Sequence, residues 1–390
     1  MKHLMHTVAV GVVAFAAMQG AALAEDIKIG VLYPIAGTGA VYGVPAMHGH
    51  DMAVDELNKA GGILGKNVVT VARDTKLNPA AASAAAKELI TKEGVDVLVG
   101  GLSSAVGLAI SEVAKQEKVV YVATIPKTIQ MTTTKRHDYV FRTASNTDFE
   151  GAAMAKVAGE LGLKKLCQIQ YDYAYGHDLA AGVEKALPKY APGAEIVLDL
   201  KVKLGTNDLN AYITQLMGAD CEGVMSGLWG NGFINMAKQG APFGLFNKIK
   251  YISGGEIASH EIAGKLKGDY PDNVWSNTYE LWYDHSHSPL HEPFYDELAK
   301  RSGTEETAMW PVLAYTGVKF IAAAAEKAGA MDSDKLSAAL KGLTIDTPAG
   351  PRTIDPETHQ ADTGQFWGPM KKVEGRAYRM MDPITYVPAE

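Results

Sequence analysis

The feature that most constrains this chain is a rhythm that plays twice. Short β-branched runs alternate with alanine-rich stretches at helical spacing, and just past residue 143 the series starts over. The first pass predicts strands at 27–33, 68–73, 95–99 and 119–124, with helices at 46–60, 79–93 and 106–116. Asn78 before Pro79 marks one helix start, since proline suits the first turn and asparagine caps it. The second pass predicts helices at 150–161, 178–190, 209–217 and 232–239, with strands at 165–171, 195–201, 223–227 and 249–253. A strand-like run at 273–283, a polar histidine-rich loop at 284–291, and helices at 292–301, 308–328 and 335–342 follow. The tail from 344 to 388 reads as short strands and turns. Strand–helix alternation of this kind calls for a mostly parallel sheet covered on both faces. The expected class is α/β, with two doubly wound parallel-sheet lobes. No Pro/Ser-rich linker separates them, so they face one another across a cleft, with strand carboxyl ends converging where a small molecule can be enclosed.

The first 24 residues stand outside this rhythm. Lys2 and two histidines precede an almost unbroken apolar run from Val8 to Met18, and Ala22-Leu23-Ala24 supplies small-residue cleavage chemistry. This reads as a secretory signal. Nothing later approaches the ~18 consecutive apolar residues of a spanning helix. Removing the signal takes away one lysine and no acid, so the formal charge goes from −7 to −8. That balance argues against a nucleic-acid groove. The two cysteines, Cys167 and Cys221, form no metal-ligand spacing; one bridge and two buried thiols are both open.

The residues after each strand carry the functional signal. Gly37-Thr38-Gly39 and Tyr42 follow the first. Gly100-Gly101-Leu102-Ser103-Ser104 and Thr124-Ile125-Pro126-Lys127 follow two others. In the second half come Tyr171-Asp172-Tyr173-Ala174-Tyr175, Leu228-Trp229 and Gly254-Gly255-Glu256. Serines ahead of a helix, with free backbone amides, suit a carboxylate; each alone also reads as a helix cap. Lys127 reads as a group to neutralise a carboxylate, and Glu256 as a partner for an ammonium or hydroxyl. The glycines at 37, 39 and 43 miss the dinucleotide spacing by one residue, and Tyr42 crowds the phosphate position, so a nucleotide is not expected.

At this point the chain resembles the substrate-binding proteins of ABC transporters in the branched-chain amino acid class, which have the type I periplasmic-binding fold. The stretch "AVDELNKAGGILGKNVVTVARDTKLNPAAASAAAKELI" (53–90) carries most of the likeness, and "GGLSSA", "YVFRTA" and "YDYAYGHD" agree. The resemblance implies a leader at 1–24, one lobe from 25–143 with 284–360, and another from 144–283 with 361–390. It also implies a periplasmic, monomeric binder that closes by hinge motion and meets a membrane permease. Tyr42 would cover the ligand, Ser104 with Ser103 would grip its carboxylate, and Tyr175 would close from the second lobe. Glu256 would receive an α-ammonium, with Thr124 to Lys127 near the head group. Two departures matter. Lys127 would repel an ammonium, and Trp229 stands where a tyrosine is common. The ligand is expected to be a hydrophobic amino acid or an aromatic or aliphatic carboxylate.

Two other functions share the same residues. A ligand-sensing module for a receptor or regulator would have the same fold. A cleft hydrolase would rest on His177 with Asp178, but no nucleophile elbow or H-E-x-x-H motif supports it. The Asp284-His285-Ser286-His287 loop invites a metal reading; histidines two apart need further partners, and a solvated surface loop is expected. Neither catalysis, cofactor nor metal is expected.

Overall fold

The computed structural model describes residues 25–389; the expected export signal at 1–24 lies outside the described residues. Two sheets organise the chain. The first contains β1 (Ile27–Tyr33), β2 (Val68–Asp74), β3 (Val97–Gly100), β4 (Tyr121–Ala123) and β5 (Val140–Arg142), all parallel, in the order β2-β1-β3-β4-β5. Helices α1 (Ala40–Lys59), α2 (Pro79–Thr91) and α3 (Ser104–Glu117) connect them. The Asn78 side chain caps α2 by accepting from the Ala81 amide, as the sequence predicts.

The second pass repeats this topology. Strands β6 (Lys165–Tyr171), β7 (Glu195–Val202), β8 (Gly223–Ser226), β9 (Lys250–Ser253) and β10 (Val274–Thr278) lie parallel in the order β7-β6-β8-β9-β10. Around them run α4 (Thr147–Glu160), α5 (Ala174–Tyr190), α6 (Asn210–Gly218), α7 (Asn231–Gly240), α8 (Leu245–Lys248) and α9 (His260–Leu266). In each half the chain order reverses beside the first strand, β1 or β6. The crevice that opens at such a reversal is where open α/β sheets bind ligands.

The rest of the chain serves both halves. Helices α10 (His291–Ser302), α11 (Trp310–Ala328) and α12 (Ser333–Leu340) return to the first sheet, followed by the small hairpin β11 (Thr344–Ile345) and β12 (Arg352–Thr353). Phe294, Val318, Phe320 and Ile321 share a buried core with Ile29, Val31, Val97 and Val122. Each such side chain stabilises the fold by ~1.5–3 kcal/mol when fully buried. Helices α1 and α11 pack so closely that a Cβ on Gly49 would stand 1.9 Å from the Pro311 carbonyl oxygen. The last segment then adds β13 (Gln365–Lys372), β14 (Arg379–Met381) and β15 (Thr385–Val387) antiparallel to the second sheet, with β13 against β10. The second sheet is therefore mixed at one edge, while β6 to β10 are parallel, in keeping with the mostly parallel sheet the sequence rhythm predicts.

Three other differences have local causes. Helix α1 begins six residues before the apolar spacing predicts, because Pro45 and the glycines around it mask its first turns. Gly43 belongs to that helix, where a Cβ would lie 2.0 Å from the Pro34 carbonyl oxygen; it serves helix–strand contact. The apolar run at 273–283 stops being a strand at Thr278, and the residues after it cross back towards α10.

The crossings lie side by side. The Arg142 amide donates to the His359 carbonyl at 3.0 Å, and the Ala361 amide donates to the Arg142 carbonyl at 2.8 Å. The fully buried Arg142 guanidinium donates to Gln360 Oε1 at 2.5 Å, to Thr132 Oγ1 at 2.6 Å and to the Thr128 carbonyl. Burial pulls its pKa down to about 9. Cys167 on β6 is joined to Cys221, just ahead of β8, in a disulfide with the Cα atoms 5.8 Å apart. The sequence left that pairing open.

Candidate functional site

The carboxyl ends of both sheets meet around one cavity. Leu102, Ser103 and Ser104 reach it from the end of β3, Ile125 and Lys127 from β4, and Tyr42 from α1. Tyr173 and Tyr175 come from the end of β6, Trp229 from β8, Gly255 and Glu256 from β9, and Ile262 from α9. Tyr279 follows β10, and Trp310 opens α11. The enclosing atoms leave about 510 Å³ of space, part of it open to solvent.

Six aromatic rings dominate the wall. Tyr42 meets Trp229 edge-on with centroids 5.7 Å apart, and meets Trp310 in the same manner at 5.1 Å. The Trp229 indole N–H donates to the Tyr173 hydroxyl at 3.2 Å, and Tyr171 donates to the Trp229 carbonyl at 3.1 Å. Burial pushes the Tyr42, Tyr173 and Tyr175 hydroxyls far above their ordinary pKa, so all three stay protonated as hydrogen-bond donors. A flat apolar ring suits such walls.

The polar end has two parts. Ser103 is the N-cap of α3, its Oγ accepting from the Val106 amide at 3.3 Å. Ser104 is 2% exposed, and its Oγ accepts from the Thr128 amide at 3.1 Å, which leaves its own hydroxyl proton to donate elsewhere. The first amides of α3 have no acceptor within the helix. Together these groups make a donor-rich, partly positive end without a formal charge.

The second part is an ionic cluster that joins the halves. Lys127 Nζ lies 2.5 Å from Glu150 Oε1, contacts Glu256 Oε1, and lies 3.3 Å from the Gly254 carbonyl oxygen. Three acceptors use all three donors of an ammonium. The Tyr175 ring stands 4.8 Å from Nζ, and its hydroxyl donates to the same Gly254 carbonyl at 2.9 Å. Burial pulls the lysine down, but Glu150 and Glu256 outweigh it and leave its pKa raised. Burial pushes Glu150 well above the carboxylate range, against the opposing pull of Lys127. Glu150 therefore carries a proton near neutrality, and the trio of one cation and two acids is close to uncharged.

Seven of the eight residues singled out from sequence meet at this cavity: Tyr42, Ser103, Ser104, Lys127, Tyr175, Trp229 and Glu256. Thr124 does not. It is fully buried with its Oγ1 2.6 Å from the Tyr33 hydroxyl, and its methyl group faces α11 at Gly317. The chain bends at Thr124 and Ile125, just past the end of β4, and Ile125 takes the cavity side. Lys127 is corrected in role: its donors are taken by Glu150, Glu256 and Gly254, so none is left to neutralise a ligand carboxylate. His177 and Asp178 do not form a dyad. His177 pairs with Asp172 at 2.8 Å on an exposed edge, while Asp178 accepts from Thr128 and Gln130. Sequence reading also misses Glu150, Tyr279 and Trp310. Tyr279 stands at a strand end, the same signal that marks the others.

Two halves of one topology, facing each other across a ring-lined cavity with a carboxylate-sized polar end, define a two-lobed solute-binding protein. The sequence profile of the periplasmic binding proteins matches residues 26–371, and the chain belongs to that family. Among its relatives is the Leu/Ile/Val-binding protein homolog 6 of Brucella melitensis, 28% identical over 370 residues that cover 93% of this chain and 92% of the relative. The leucine-, isoleucine-, valine-, threonine- and alanine-binding protein of Pseudomonas aeruginosa is 26% identical, covering 84% and 85%. Among solved structures, the solute binding protein of an ABC transporter from Rhodopseudomonas palustris BisB5, in complex with 3,4-dihydroxybenzoic acid, superposes with a TM-score of 0.82. It is 25% identical and covers 93% of this chain and 98% of its own. A branched-chain amino acid transporter substrate binding protein from Streptococcus pneumoniae, in complex with isoleucine, has a TM-score of 0.80 at 23% identity, covering 93% and 100%. Among the described residues, no helix is long and apolar enough to cross a membrane.

Proposed function

We propose that this chain is the periplasmic solute-binding component of an ABC importer, and that its ligand is a small aromatic carboxylate without an α-ammonium group. The observation that carries the ligand class is the engagement of Glu256 by Lys127. The resemblance assigns Glu256 to the ammonium of an amino acid, and here the protein supplies that ammonium itself. A second cation would have to displace it or share a trio already near neutral.

An aromatic acid places its charges where the cavity has donors. The carboxylate meets the Ser104 hydroxyl and the first amides of α3, and the ring lies among Tyr42, Tyr175 and Trp229. The ligands in the names of several Rhodopseudomonas palustris relatives, 3,4-dihydroxybenzoic acid and 4-hydroxybenzoate among them, support that class. The Leu/Ile/Val names and the position of Glu256 favour the second reading, a branched-chain amino acid, with Lys127 swung aside.

Binding works by closure. The lobes, 25–143 with 284–360 and 144–283 with 361–390, meet through Lys127 with Glu256, Thr128 with Asp178, and Tyr42 with Trp229. A ligand that touches both lobes shifts the hinge equilibrium towards this closed form, which a membrane permease then recognises. The protein acts as an exported monomer and leaves its ligand chemically unchanged. Calorimetry and thermal melts with benzoate, 4-hydroxybenzoate, leucine and isoleucine test the reading. An aromatic acid at 100 times its Kd should add about 2.7 kcal/mol of stability, with nothing from leucine. Binding of leucine without the benzoates overturns the ligand class, and turnover of any bound acid overturns the binding-protein reading.

A further inference from the structure

The histidine-rich loop after β10 is solvated only in part: His285 and Ser286 are exposed, as expected of a surface loop, but the histidines that flank them in the fold are not. Glu280 and His291 have fully buried side chains, and that of His287 is 17% exposed. Glu280 Oε2 lies 2.8 Å from His287 Nε2 and 2.9 Å from His291 Nε2, and the three ligand atoms all fall within 4.8 Å of one another. The partners that histidines two apart in sequence lack are supplied by folding: one from seven residues before His287, the other from the first turn of α10.

The hydrogen bonding around this cluster is incomplete. Glu280 Oε1, His287 Nδ1 and His291 Nε2 are buried without a hydrogen-bond partner among the described residues. His291 Nε2 approaches the carboxylate but makes no hydrogen bond with it. Its other ring nitrogen is held by His285, Nδ1 to Nδ1 at 2.9 Å. When His291 donates in that contact, its Nε2 carries a lone pair facing a carboxylate oxygen, and a bound cation resolves the conflict. A ligand histidine whose second nitrogen is fixed by a neighbour is the ordinary arrangement at metal sites. Ring contacts of His287 with Phe366, and of His291 with Tyr295, fix both imidazoles further.

We infer that Glu280, His287 and His291 form a binding site for a divalent transition-metal ion of the zinc type, in the segment that crosses from the second lobe to α10. Two imidazoles and a carboxylate match the donor preference of Zn²⁺ and Co²⁺ over Mg²⁺ or Ca²⁺. Ligand atoms around a tetrahedral zinc stand roughly 3.4 Å apart, so the cluster has to open by about half an ångström on its shorter edges. The partly exposed side of His287 leaves the fourth position to water. The ion ties one lobe crossing to the start of a first-lobe helix, a role separate from ligand capture.

The test uses the full mature chain, stripped with chelator and titrated with ZnCl₂ against a competing dye, with CoCl₂ as a spectroscopic probe. One ion per chain, a Co²⁺ visible spectrum of nitrogen and oxygen ligands, and at least a tenfold loss of affinity in His287→Asn are expected. His177→Asn, which removes an exposed histidine remote from the cluster, should change nothing. Substoichiometric binding, or a cobalt spectrum unaltered in His287→Asn, overturns the site. Because His287 is partly exposed, this variant keeps the fold, and its melting profile without metal confirms that the loss is of the ion. Aromatic-acid binding measured in the same stripped sample separates failure of the metal site from failure of the proposed ligand.

Discussion

Gln130 of the first lobe donates to both carboxylate oxygens of Asp178 in the second, at 3.0 and 3.2 Å, and the Thr128 hydroxyl donates to the same carboxylate. The three form a clasp away from the ligand cavity. Asp178→Ala should weaken ligand binding by about 1 kcal/mol, roughly fivefold in Kd, by destabilising only the closed form. The change should fall mainly on the dissociation rate, measured by stopped flow. An unchanged rate would show that the clasp does not contribute to closure.

Lys127→Met leaves Glu150 and Glu256 buried without their cation. Loss of one partner from a buried ion pair costs ~3–5 kcal/mol, read as a fall in unfolding free energy. Affinity for aromatic acids should drop, because an uncompensated carboxylate then faces the ligand's own. Leucine, whose ammonium replaces the missing one, should gain affinity. The double variant Lys127→Met with Glu256→Gln should recover stability, because it removes the acid left ionised, and should lose the gain for leucine. Equal losses for both ligand classes would refute the role given to Lys127.

The two serines should separate. Ser104→Ala should weaken ligand binding by ~1–3 kcal/mol through loss of a desolvated hydrogen bond. Ser103→Ala removes an N-cap and should cost about 1 kcal/mol of fold stability, with a smaller effect on affinity. Calorimetry and melts on both proteins distinguish the two kinds of loss.

His50 makes folding sensitive to acid. Its ring is fully buried on α1, with Nε2 2.8 Å from Thr70 Oγ1 and Nδ1 unpaired among the described residues. Burial holds its pKa down at about 4, against 6.5 in the unfolded chain. The unfolded state takes up the proton first, so this contribution is complete above pH 6.5 and is lost as pH falls towards 4. The loss amounts to ~3 kcal/mol. His50→Gln should flatten the stability profile between those limits.

Reduction of the Cys167–Cys221 disulfide, or Cys167→Ala with Cys221→Ala, should cost about 4 kcal/mol on a loop-closure estimate for residues 54 apart. Denaturant melts with and without reductant measure it.

The sequence made β1 and β6 legible to the residue, since each is a short run rich in apolar residues between clear breaks. Ser104, Tyr175, Trp229 and Glu256 were legible as cavity residues because each follows a strand of a parallel sheet. Tyr279 obeys the same rule, but the apolar run around it continues to Tyr283 and hides the strand's end. Glu150 lies in the first turn of a helix, where an acid ordinarily serves the helix N-terminus from the water side. Only the fold shows that this turn faces Lys127. Trp310 reaches the cavity because α11 returns to the first lobe, a long-range fact that no local pattern carries. Thr124 and Ile125 are neighbours in the bend that follows β4, and loop composition cannot say which side each takes. The partners of His287 are likewise set by how the crossing folds back.

The return of α10 to α12 to the first sheet has a consequence for synthesis. While the ribosome is still working on the second sheet, the first lacks the helix that covers it, and Ile29, Val31 and Val97 await neighbours such as Phe320 from far downstream in the chain. A fragment cut before residue 284 would keep all five strands of that sheet yet leave a flank bare and prone to aggregate. The amino-terminal half is thus first to be made and among the last to mature.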